Sequence, residues 1–577
     1  MITLGINGVS GIFHDASATI IKDGQLIASV EEERFNRNKH SNGIPFQAIE
    51  YCLESAGIDY HEIDNIGYYL QPDVLLENMY NRMISEYGAE PEKVRYIQEV
   101  SERISSIPSE LSKYFKVDLD ISPDFKFLNH HLCHAASAYY PSNYQRAAVL
   151  VIDGSGDRES ISLYKGEENK LEKVHDFMIF PQSLGFIYSM FSAHLGLGSI
   201  EGPGKLMGLS AYGNDCRDLV EDLVSFNDDP YMPVTMHLEH FSYHTGHGDF
   251  SDALVQRFGP ARKPEDELTE FHRDIAASIQ SLISDAIMHI FRQIPVLLPD
   301  EKNLCYAGGL ALNVLTNRRM HDEKLFDEIF ITPAAYDGGC SLGAAYYLHS
   351  LSTPLRIDPV FMPYFGPDTT KNFDLPSALE RFSDQIDYER LDDRQLFKLA
   401  ASDLACKDHQ MIVGWVQGSM ELGPRALGNR SMLTSPINKD SKYELDRRVK
   451  KREGFRPYAP SVLEEHSSNW FDLEYSPYML LEAKVHEDKR DRVPGIVHVD
   501  GSARPQTVNK NINPRYYQLI SEFYNITSVP VILNTSFNRH GEPITNTPEE
   551  AILVLLETDL DVLYIENWRI TKKNHAQ

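Results

Sequence analysis

Two histidines spaced four residues apart, His130 and His134, are the first candidates for chemistry in this sequence. If the segment from Leu132 to Tyr139 is helical, both imidazole rings lie on one face of the helix and can bind one metal ion. Asp153 and Asp337 each open a glycine-rich loop, and adding them would complete a His/Asp set suited to divalent iron, manganese or zinc. An incidental histidine pair is the alternative, because this spacing also occurs in helices that bind no metal.

His14 lies beside Asp15 in an earlier loop and is a candidate general base. An imidazole has an unperturbed pKa of about 6.5, so it can accept a proton from a hydroxyl near neutral pH. The alternative is a histidine that only hydrogen-bonds its own loop. Residues 31–40 form a charged cluster that includes Lys39. This cluster could contact substrate or could be an exposed turn.

Three glycine-rich segments are candidates for nucleotide binding. One opens with Asp153, one surrounds a lysine that lacks the following Ser/Thr of a Walker loop, and one follows an apolar strand. A glycine turn that leads from a strand into a helix can point backbone N–H groups at an anion, so these segments could wrap a nucleotide. Taken singly, none of the three is specific. The residues predicted for this role are Gly154, Ser155, Gly156, Gly204, Lys205, Gly308, Gly309 and Asn313.

Positive charge is concentrated in one stretch of an acidic chain. The 577 residues carry a net charge of −29, yet residues 425–456 hold ten basic and four acidic residues, a local charge of +6. Guanidinium groups bind phosphate or carboxylate oxygens through two hydrogen bonds, so the stretch favours a small anionic ligand over its alternative, a solvated helix face. The candidate residues are Arg425, Arg430, Lys450 and Arg456, with further donors from Arg504, Asn534 and Ser536.

Composition excludes several classes of protein. Hydrophobic residues make up 42% of the chain, which excludes a disordered or collagen-like protein. The net charge argues against a nucleic-acid or anionic-membrane partner. The six cysteines are scattered and no run approaches the roughly 18 apolar residues of a membrane span, so we expect a cytoplasmic protein with reduced thiols.

The elements that must position these residues follow an α/β pattern. Near the N-terminus the sequence predicts strand, glycine loop, strand, a turn at Asp23-Gly24, and strand, and the same order recurs from Ala147. This repetition indicates an internally duplicated nucleotide-binding fold, with two unrelated hairpins as the alternative. Apolar residues at three- and four-residue steps predict a helix over 267–294 that Pro295 ends. A cluster of prolines places a domain boundary near 355, which gives domains 1–355 and 356–577.

Ten motifs, in order along the chain, resemble the O-carbamoyltransferases of nodulation and antibiotic biosynthesis, which include the tobramycin and cephem carbamoyltransferases. The motifs are FHDAS (13–17), EEERF with KH (31–40), HHxxHAAS (130–137), DGSGD (153–157), GKLMGL, GGLALN, DGGCSLGAA, ELGPRALGNRS, KKREGFRPYAPS and LNTSFN. The resemblance covers essentially the whole chain. Pro203, before Gly204-Lys205, is a departure, because we would expect an acidic residue there.

The resemblance implies an α/β enzyme of two parts. The N-terminal part would be a duplicated actin/Hsp70-like (ASKHA) domain similar to the tRNA threonylcarbamoyl transferase, and the C-terminal part a YrdC-like domain that makes carbamoyladenylate. ATP and carbamoyl phosphate would form O-carbamoyladenylate, and the carbamoyl group would then move to a hydroxyl of a small-molecule acceptor, a natural product or glycan, with release of AMP. The acceptor's identity and the oligomeric state stay open, a homodimer being one option.

Matching positions give roles to individual residues. The resemblance assigns an iron-type metal to His130, His134, Asp153 and Asp337, with Mg²⁺ as a further candidate ion. It assigns carbamoyl phosphate to Lys450, Arg456 and Arg504, with Arg425 and Arg430 as neighbours. His14 would be the base, and Lys39 would lie on the acceptor side.

Two other classes of function remain. A tRNA-modifying enzyme is opposed by the net charge, and an ASKHA kinase or regulator would leave the basic stretch unexplained.

Overall fold

The computed structural model describes residues 1–9, 13–117, 123–356 and 360–573. The chain forms two compact units. The first comprises Met1–Glu32 and His40–Phe361, and the second comprises Glu33–Lys39 and Met362–Gln577. Among the described residues, no helix is long and apolar enough to cross a membrane.

Two five-stranded sheets form the framework of the first unit. Their strand orders are β3-β2-β1-β4-β5 and β8-β7-β6-β11-β12, and a separate hairpin pairs β9 with β10. The strands are β1 (Ile2–Asn7), β2 (Ser17–Lys22), β3 (Gln25–Glu31), β4 (Asn65–Tyr68), β5 (Asp124–Phe127), β6 (Arg146–Ile152), β7 (Glu159–Glu167), β8 (Lys170–Ile179), β9 (Val224–Phe226), β10 (Val234–Met236), β11 (Asn303–Ala307) and β12 (Glu328–Ile331).

The two sheets repeat one topology. In each, the first strand pairs antiparallel with the second and the second with the third. Each first strand also pairs in parallel with a fourth strand, which pairs in parallel with a fifth. The predicted duplication and α/β class are therefore confirmed, and the topology agrees with the actin/Hsp70-like fold that the resemblance implies. The end of β1, at Asn7, and the end of β6, at Ile152, therefore occupy equivalent places in the two sheets.

Helices α6 and α13 pack against each other between the sheets, α13 on β1 and α6 on β11. The packing is close because glycine stands where the backbones meet. A Cβ atom at Gly343 would overlap the carbonyl oxygen of Cys133, and one at Gly5 would overlap that of Ser341. The helices up to this point are α1 (Glu33–Asn36), α2 (Phe46–Ala56), α3 (Pro72–Leu75), α4 (Arg82–Ser85), α5 (Pro91–Phe115), α6 (His130–Ser142), α7 (Leu184–His194), α8 (Gly202–Leu209), α9 (Asp252–Phe258), α10 (Glu270–Phe291), α11 (Ile294–Leu297), α12 (Val314–Glu323) and α13 (Cys340–Ser350).

The second unit is built on an eight-stranded mixed sheet with the order β14-β24-β23-β15-β17-β22-β18-β21, and two ribbons pair β13 with β16 and β19 with β20. Its core contains Trp415, Phe471 and Tyr516, all unexposed. The strands are β13 (Tyr364–Asp368), β14 (Ile386–Arg390), β15 (Ile412–Val416), β16 (Ser419–Glu421), β17 (Arg430–Thr434), β18 (Ala459–Leu463), β19 (Ala483–Lys484), β20 (Ser502–Ala503), β21 (Gln506–Val508), β22 (Val531–Ser536), β23 (Val562–Ile565) and β24 (Trp568–Lys572). The helices are α14 (Leu375–Arg381), α15 (Asp393–Leu404), α16 (Ser441–Leu445), α17 (Ser467–Trp470), α18 (Glu487–Arg490), α19 (Pro514–Thr527) and α20 (Pro548–Glu557).

Two local predictions need correction. The helix predicted over 267–294 begins at Glu270, where Thr269 caps it, and ends at Phe291. Pro295 lies in the first turn of the short helix α11, where the missing N–H of proline is tolerated. The glycine-rich segment around Lys205, predicted as a loop, is helix α8, with Pro203 in its first turn. The first error arises because proline reads as an interruption although it also begins helices, and the second because a run of glycines reads as a loop.

Candidate metal centre and anion site

The two histidines lie at the start of α6. Asn129 caps this helix, its side chain accepting a hydrogen bond from the N–H of Leu132 at 3.0 Å. His130 and His134 are separated by one helical turn and neither is exposed, and their Nε2 atoms are 3.1 Å apart. The predicted helix therefore aims both rings at one point.

Two carboxylates approach the same point from the ends of other elements. Asp153 Oδ2, just after β6, lies 3.1 Å from Nε2 of His130 and 3.5 Å from that of His134. Asp337 Oδ1 lies 3.8 Å and 3.6 Å from the same two nitrogen atoms. Ligands bound at about 2.0–2.2 Å to one ion are separated by such distances. The structure therefore brings together all four side chains predicted to bind metal.

The charges of this group suit a cation. Burial lowers the pKa of His134, but the neighbouring Cys340, Asp153 and Asp337 outweigh it and raise the pKa well above its ordinary value. Burial raises the pKa of Asp153, and its hydrogen bonds with His130 and His134 bring the pKa well below its ordinary value. The Nδ1 atoms of both rings are buried without a hydrogen-bond partner in the described parts of the chain. The rings thus direct their polar contacts through Nε2, towards the carboxylates.

Asn7, at the end of β1, connects the histidine loop to the metal centre, and sequence reasoning missed it. Its amide donates to the carbonyl oxygens of Asp15 at 3.0 Å and Asp337 at 2.9 Å. Ser17, on the adjacent β2, donates to Asn7 Oδ1. Asn7 is unexposed, so bulk water does not compete for these bonds. An asparagine that ends an apolar strand before a loop was the available signal.

Replacing Asn7 with aspartate should destabilise the protein and weaken metal binding. The change turns the amide donor into an acceptor, so the carbonyls of Asp15 and Asp337 lose their partner at a cost of about 1–3 kcal/mol for each buried group. Chemical denaturation and metal titration would measure both effects. Asn65→Asp, at a half-buried position on the neighbouring strand β4, is the matched control. Equal losses in the two variants would contradict the connecting role of Asn7.

His14 forms a hydrogen-bonded group with Asp15 and His40. His14 Nδ1 lies 2.6 Å from Asp15 Oδ2, and His40 Nδ1 lies 2.7 Å from Asp15 Oδ1. Burial lowers the pKa of His14, but the hydrogen bond and charge of Asp15 outweigh it and raise the pKa from 6.5 to about 9. Burial raises the pKa of Asp15, and the two histidine hydrogen bonds bring it below its ordinary value. The sequence placed Asp15 beside His14 and put His40 in the charged cluster that could contact substrate, but it gave no sign that His40 binds Asp15.

Four of the eight residues predicted to bind nucleotide have amide groups engaged in the fold. The N–H of Gly156 donates to the carbonyl of Glu159, that of Gly308 to the carbonyl of Ala335, and that of Gly309 to Asp153 Oδ1. The side chain of Asn313 caps α12 and donates to Gln280. Gly154 and Ser155 follow Asp153 directly, and the carbonyl of Gly154 accepts from Ser183 Oγ at 2.6 Å. Gly204 and Lys205 lie in α8.

Three arginines of the second unit form a half-buried cationic cluster: Arg425, Arg456 and Arg504. Burial lowers the pKa of Arg425 to about 10, and Arg456 adds to the shift. Burial also brings the pKa of Arg504 well below its ordinary value, with repulsion from Arg425, Arg452 and Arg456. The Nε atoms of Arg425 and Arg504 are buried and have no hydrogen-bond partner within the described ranges. Such a cluster favours a bound anion that offsets the repulsion.

Lys450 lies at the edge of this cluster. Its Nζ donates to Asn538 Oδ1 at 2.6 Å and to the carbonyl oxygen of Ser536. Burial brings its pKa well below the ordinary value, and Arg452, Arg456 and Lys39 add to the effect. Lys39, predicted to lie on the acceptor side, belongs to the second unit with these cations.

Two of the residues predicted to bind the anion serve the fold itself. Arg430 is unexposed, and its guanidinium donates to the backbone carbonyls of Gln417, Gly418, Asn429 and Pro367. Asn534 donates to the carbonyl of Ala426, next to Arg425. The carboxylate of Glu421 accepts the N–H groups of Leu427, Asn429 and Arg430, and so holds the loop that carries Arg425.

Among solved structures, component A of the (R)-2-hydroxyglutaryl-CoA dehydratase of Acidaminococcus fermentans matches with a TM-score of 0.31 and 16% identity, covering 61% of this chain and 100% of that one. HypF of T. kodakarensis matches with a TM-score of 0.31 and 13% identity, covering 61% of this chain and 47% of that one. Neither similarity carries an argument about function.

Sequence comparisons are more specific. Nodulation protein NolNO of Sinorhizobium fredii is 36% identical over 577 residues, covering 97% of this chain and 79% of that protein. The uncharacterized protein sll1178 of Synechocystis sp. is 38% identical over 610 residues, covering 99% and 97%. Two family models match, that of the carbamoyltransferase N-terminus at residues 5–346 and that of the carbamoyltransferase C-terminus at residues 405–572. The chain therefore belongs to the carbamoyltransferase family.

Proposed function

We propose that the protein is an O-carbamoyltransferase that uses ATP and carbamoyl phosphate to carbamoylate a hydroxyl of a small-molecule acceptor. Carbamoyl phosphate would first lose phosphate to water, and the resulting carbamate would attack the α-phosphorus of ATP and displace pyrophosphate. The acceptor hydroxyl would then attack the carbamoyl carbon of the adenylate, which releases AMP. The observation that carries the proposal is the cluster of Arg425, Arg456 and Arg504, whose mutual repulsion an anionic phosphate would relieve.

The arginines of the second unit would bind and orient the phosphate. Guanidinium groups present two parallel N–H donors that match phosphate oxygens, which distinguishes them from a lysine. Glu421 supports this task indirectly, because it precedes Arg425 and binds the backbone N–H groups of Leu427 and Arg430 that follow it. Arg430 would act through the same loop and not by contact with the ligand.

The histidines and aspartates of the first unit would hold a divalent metal, and their nitrogen and oxygen donors fit one. When bound, such an ion neutralises adenylate oxygens and polarises a carbonyl. The donor set admits iron, zinc or manganese, and the resemblance favours Fe²⁺. The chain contributes the base from the neighbouring loop: Nδ1 of His14 is held by Asp15, which leaves Nε2 to take the proton of the acceptor hydroxyl.

The pH dependence of kcat/KM should follow the loss of the proton from His14. Only its neutral form accepts a proton, and its pKa of about 9 means that activity rises with pH until that value. Replacing Asp15 with asparagine removes the charge that keeps the proton on His14. The rising part of the curve of kcat/KM against pH should therefore move to lower pH by about two units. Rates of acceptor carbamoylation between pH 5 and pH 10 would measure the shift. An unchanged curve in Asp15→Asn would contradict the coupling.

Product analysis tests the proposed function directly. With ATP and carbamoyl phosphate, the protein should release AMP and pyrophosphate, and labelled carbamoyl phosphate should mark hydroxylated metabolites offered as acceptors. Release of ADP would instead indicate a kinase, and labelling of tRNA would indicate a tRNA-modifying enzyme. No release of pyrophosphate and no exchange of labelled pyrophosphate into ATP under any of these conditions would exclude carbamoyladenylate formation. The measurement needs the full chain, because both units contribute.

A further inference from the structure

Cys340 is a buried residue to which no role has been given so far. It begins helix α13, immediately after the turn Asp337–Gly339 that carries one of the predicted metal ligands. Its side chain is unexposed. The sulfur atom and the ligand atoms of His130, His134 and Asp337 all lie within 4.8 Å of one another.

This separation is close to the range that a shared ion would allow. A metal–sulfur bond is about 2.3 Å and a metal–nitrogen bond about 2.0–2.1 Å, so two such ligands on one ion are at most about 4.4 Å apart. Because 4.8 Å is the upper bound on these separations, a shift of at most a few tenths of an ångström would place the sulfur within binding distance. Side-chain rotation at Cys340 supplies such a shift, since the residue opens its helix and has one torsion that moves the sulfur.

The position of Cys340 differs from that of the other buried cysteine of this region. Cys133 also lies in α6, between the two histidines, and it too is unexposed. Two groups of side chains could hold a metal in the described parts of the chain, and Cys133 belongs to neither of them. The first is the group just described with Cys340, and the second is His14, Asp15 and His40. His130 and His134 therefore lie on the face of α6 that is turned towards Cys340, and Cys133 lies outside this group.

We propose that Cys340 is a sulfur ligand of the metal centre and biases it towards Zn²⁺, Co²⁺ or Fe²⁺ over Mn²⁺ and Mg²⁺. On binding, the S–H bond breaks, the proton leaves to solvent and the sulfur forms a bond to the ion. Thiolate is a softer donor than carboxylate or imidazole, so it favours the later transition metals. The inference rests on the metal centre of the proposed function, but it concerns the composition of that centre and not the reaction.

Cobalt provides the test, because a thiolate bound to Co²⁺ gives a charge-transfer band in the near ultraviolet. The full chain and Cys340→Ser would be stripped with a chelator and titrated with Co²⁺, with Cys133→Ser as the matched control. We expect the band in the wild type and in Cys133→Ser. In Cys340→Ser the band should be lost while the visible bands of bound cobalt persist, and Zn²⁺ affinity should fall more than Mn²⁺ affinity.

A measurement without substitution covers the case in which Cys340→Ser does not fold. X-ray absorption of the zinc-loaded wild type should show one sulfur neighbour at about 2.3 Å. Only nitrogen and oxygen neighbours, no charge-transfer band in the wild type, or an unchanged band in Cys340→Ser would each overturn the inference. Carbamoyl transfer measured on the same wild-type preparation separates the two claims: a working enzyme without sulfur ligation refutes only the role of Cys340, and sulfur ligation without AMP release refutes only the proposed reaction.

Discussion

Replacing His14 with asparagine should lower carbamoyl transfer to an acceptor hydroxyl by about 10²–10⁴-fold, the usual contribution of a general base. Formation of carbamoyladenylate should continue, because that step uses the phosphate of ATP and no acceptor proton. Asparagine cannot accept the proton, although its amide can still donate to Asp15 and keep the loop hydrogen-bonded. AMP release and acceptor labelling would measure transfer, and exchange of labelled pyrophosphate into ATP would measure adenylate formation.

Measuring transfer and adenylate formation separately distinguishes a loss of catalysis from a loss of folding. His61→Asn changes an exposed histidine of the same unit and should alter neither step. If His14→Asn lost both adenylate formation and transfer, the assignment of His14 as the base would be contradicted. If it lost neither, the general base would be another group.

Replacing Arg504 with methionine should stabilise the protein without ligand and remove its response to phosphate. Burial is the largest cost to the charge of Arg504, and the charges of Arg425, Arg452 and Arg456 repel it. Replacing buried charged groups with apolar ones of similar volume raises the unfolding free energy by up to about 4 kcal/mol. The wild type should gain about 2.7 kcal/mol when phosphate is present at 100 times its Kd, whereas the variant should gain little. Calorimetry with and without inorganic phosphate or carbamoyl phosphate would measure both quantities.

The control and the contradicting outcome follow from the same physics. Arg394 is an exposed arginine on α15 of the same unit, so Arg394→Met should change neither the stability nor the phosphate response. A less stable Arg504→Met protein that still responds to phosphate would mean that Arg504 serves the fold. A variant that is more stable but still releases AMP at the wild-type rate would place the carbamoyl phosphate elsewhere.

Several features of the site could be predicted from the sequence because they depend on local geometry. A helix places residues four apart on one face, so His130 and His134 had to point the same way once α6 formed. The repeated order of strands and turns indicated the two equivalent sheets, because side-chain periodicity and turn residues are local signals. The cationic stretch was also visible, since charge is a property of composition.

Other features were decided only when distant segments packed together. Asn7 and Asp337 are 330 residues apart in the sequence, and no local pattern indicates their hydrogen bond. Likewise, the predicted nucleotide loops contain suitable glycines, but the fold uses the N–H of Gly309 to hold Asp153.

The amino-acid sequence by itself thus determined which chemistry the chain can carry: histidines and carboxylates for a metal, a histidine for a proton, and arginines for an anion. The tertiary structure decided which of these groups are available to a ligand. Arg430 and Arg504 are the same residue type in the same unit. Backbone carbonyls accept the hydrogen bonds of Arg430, whereas the charges of other arginines repel that of Arg504. A buried donor must be paired within the fold or by a ligand, and only the packing of distant segments determines which of the two applies.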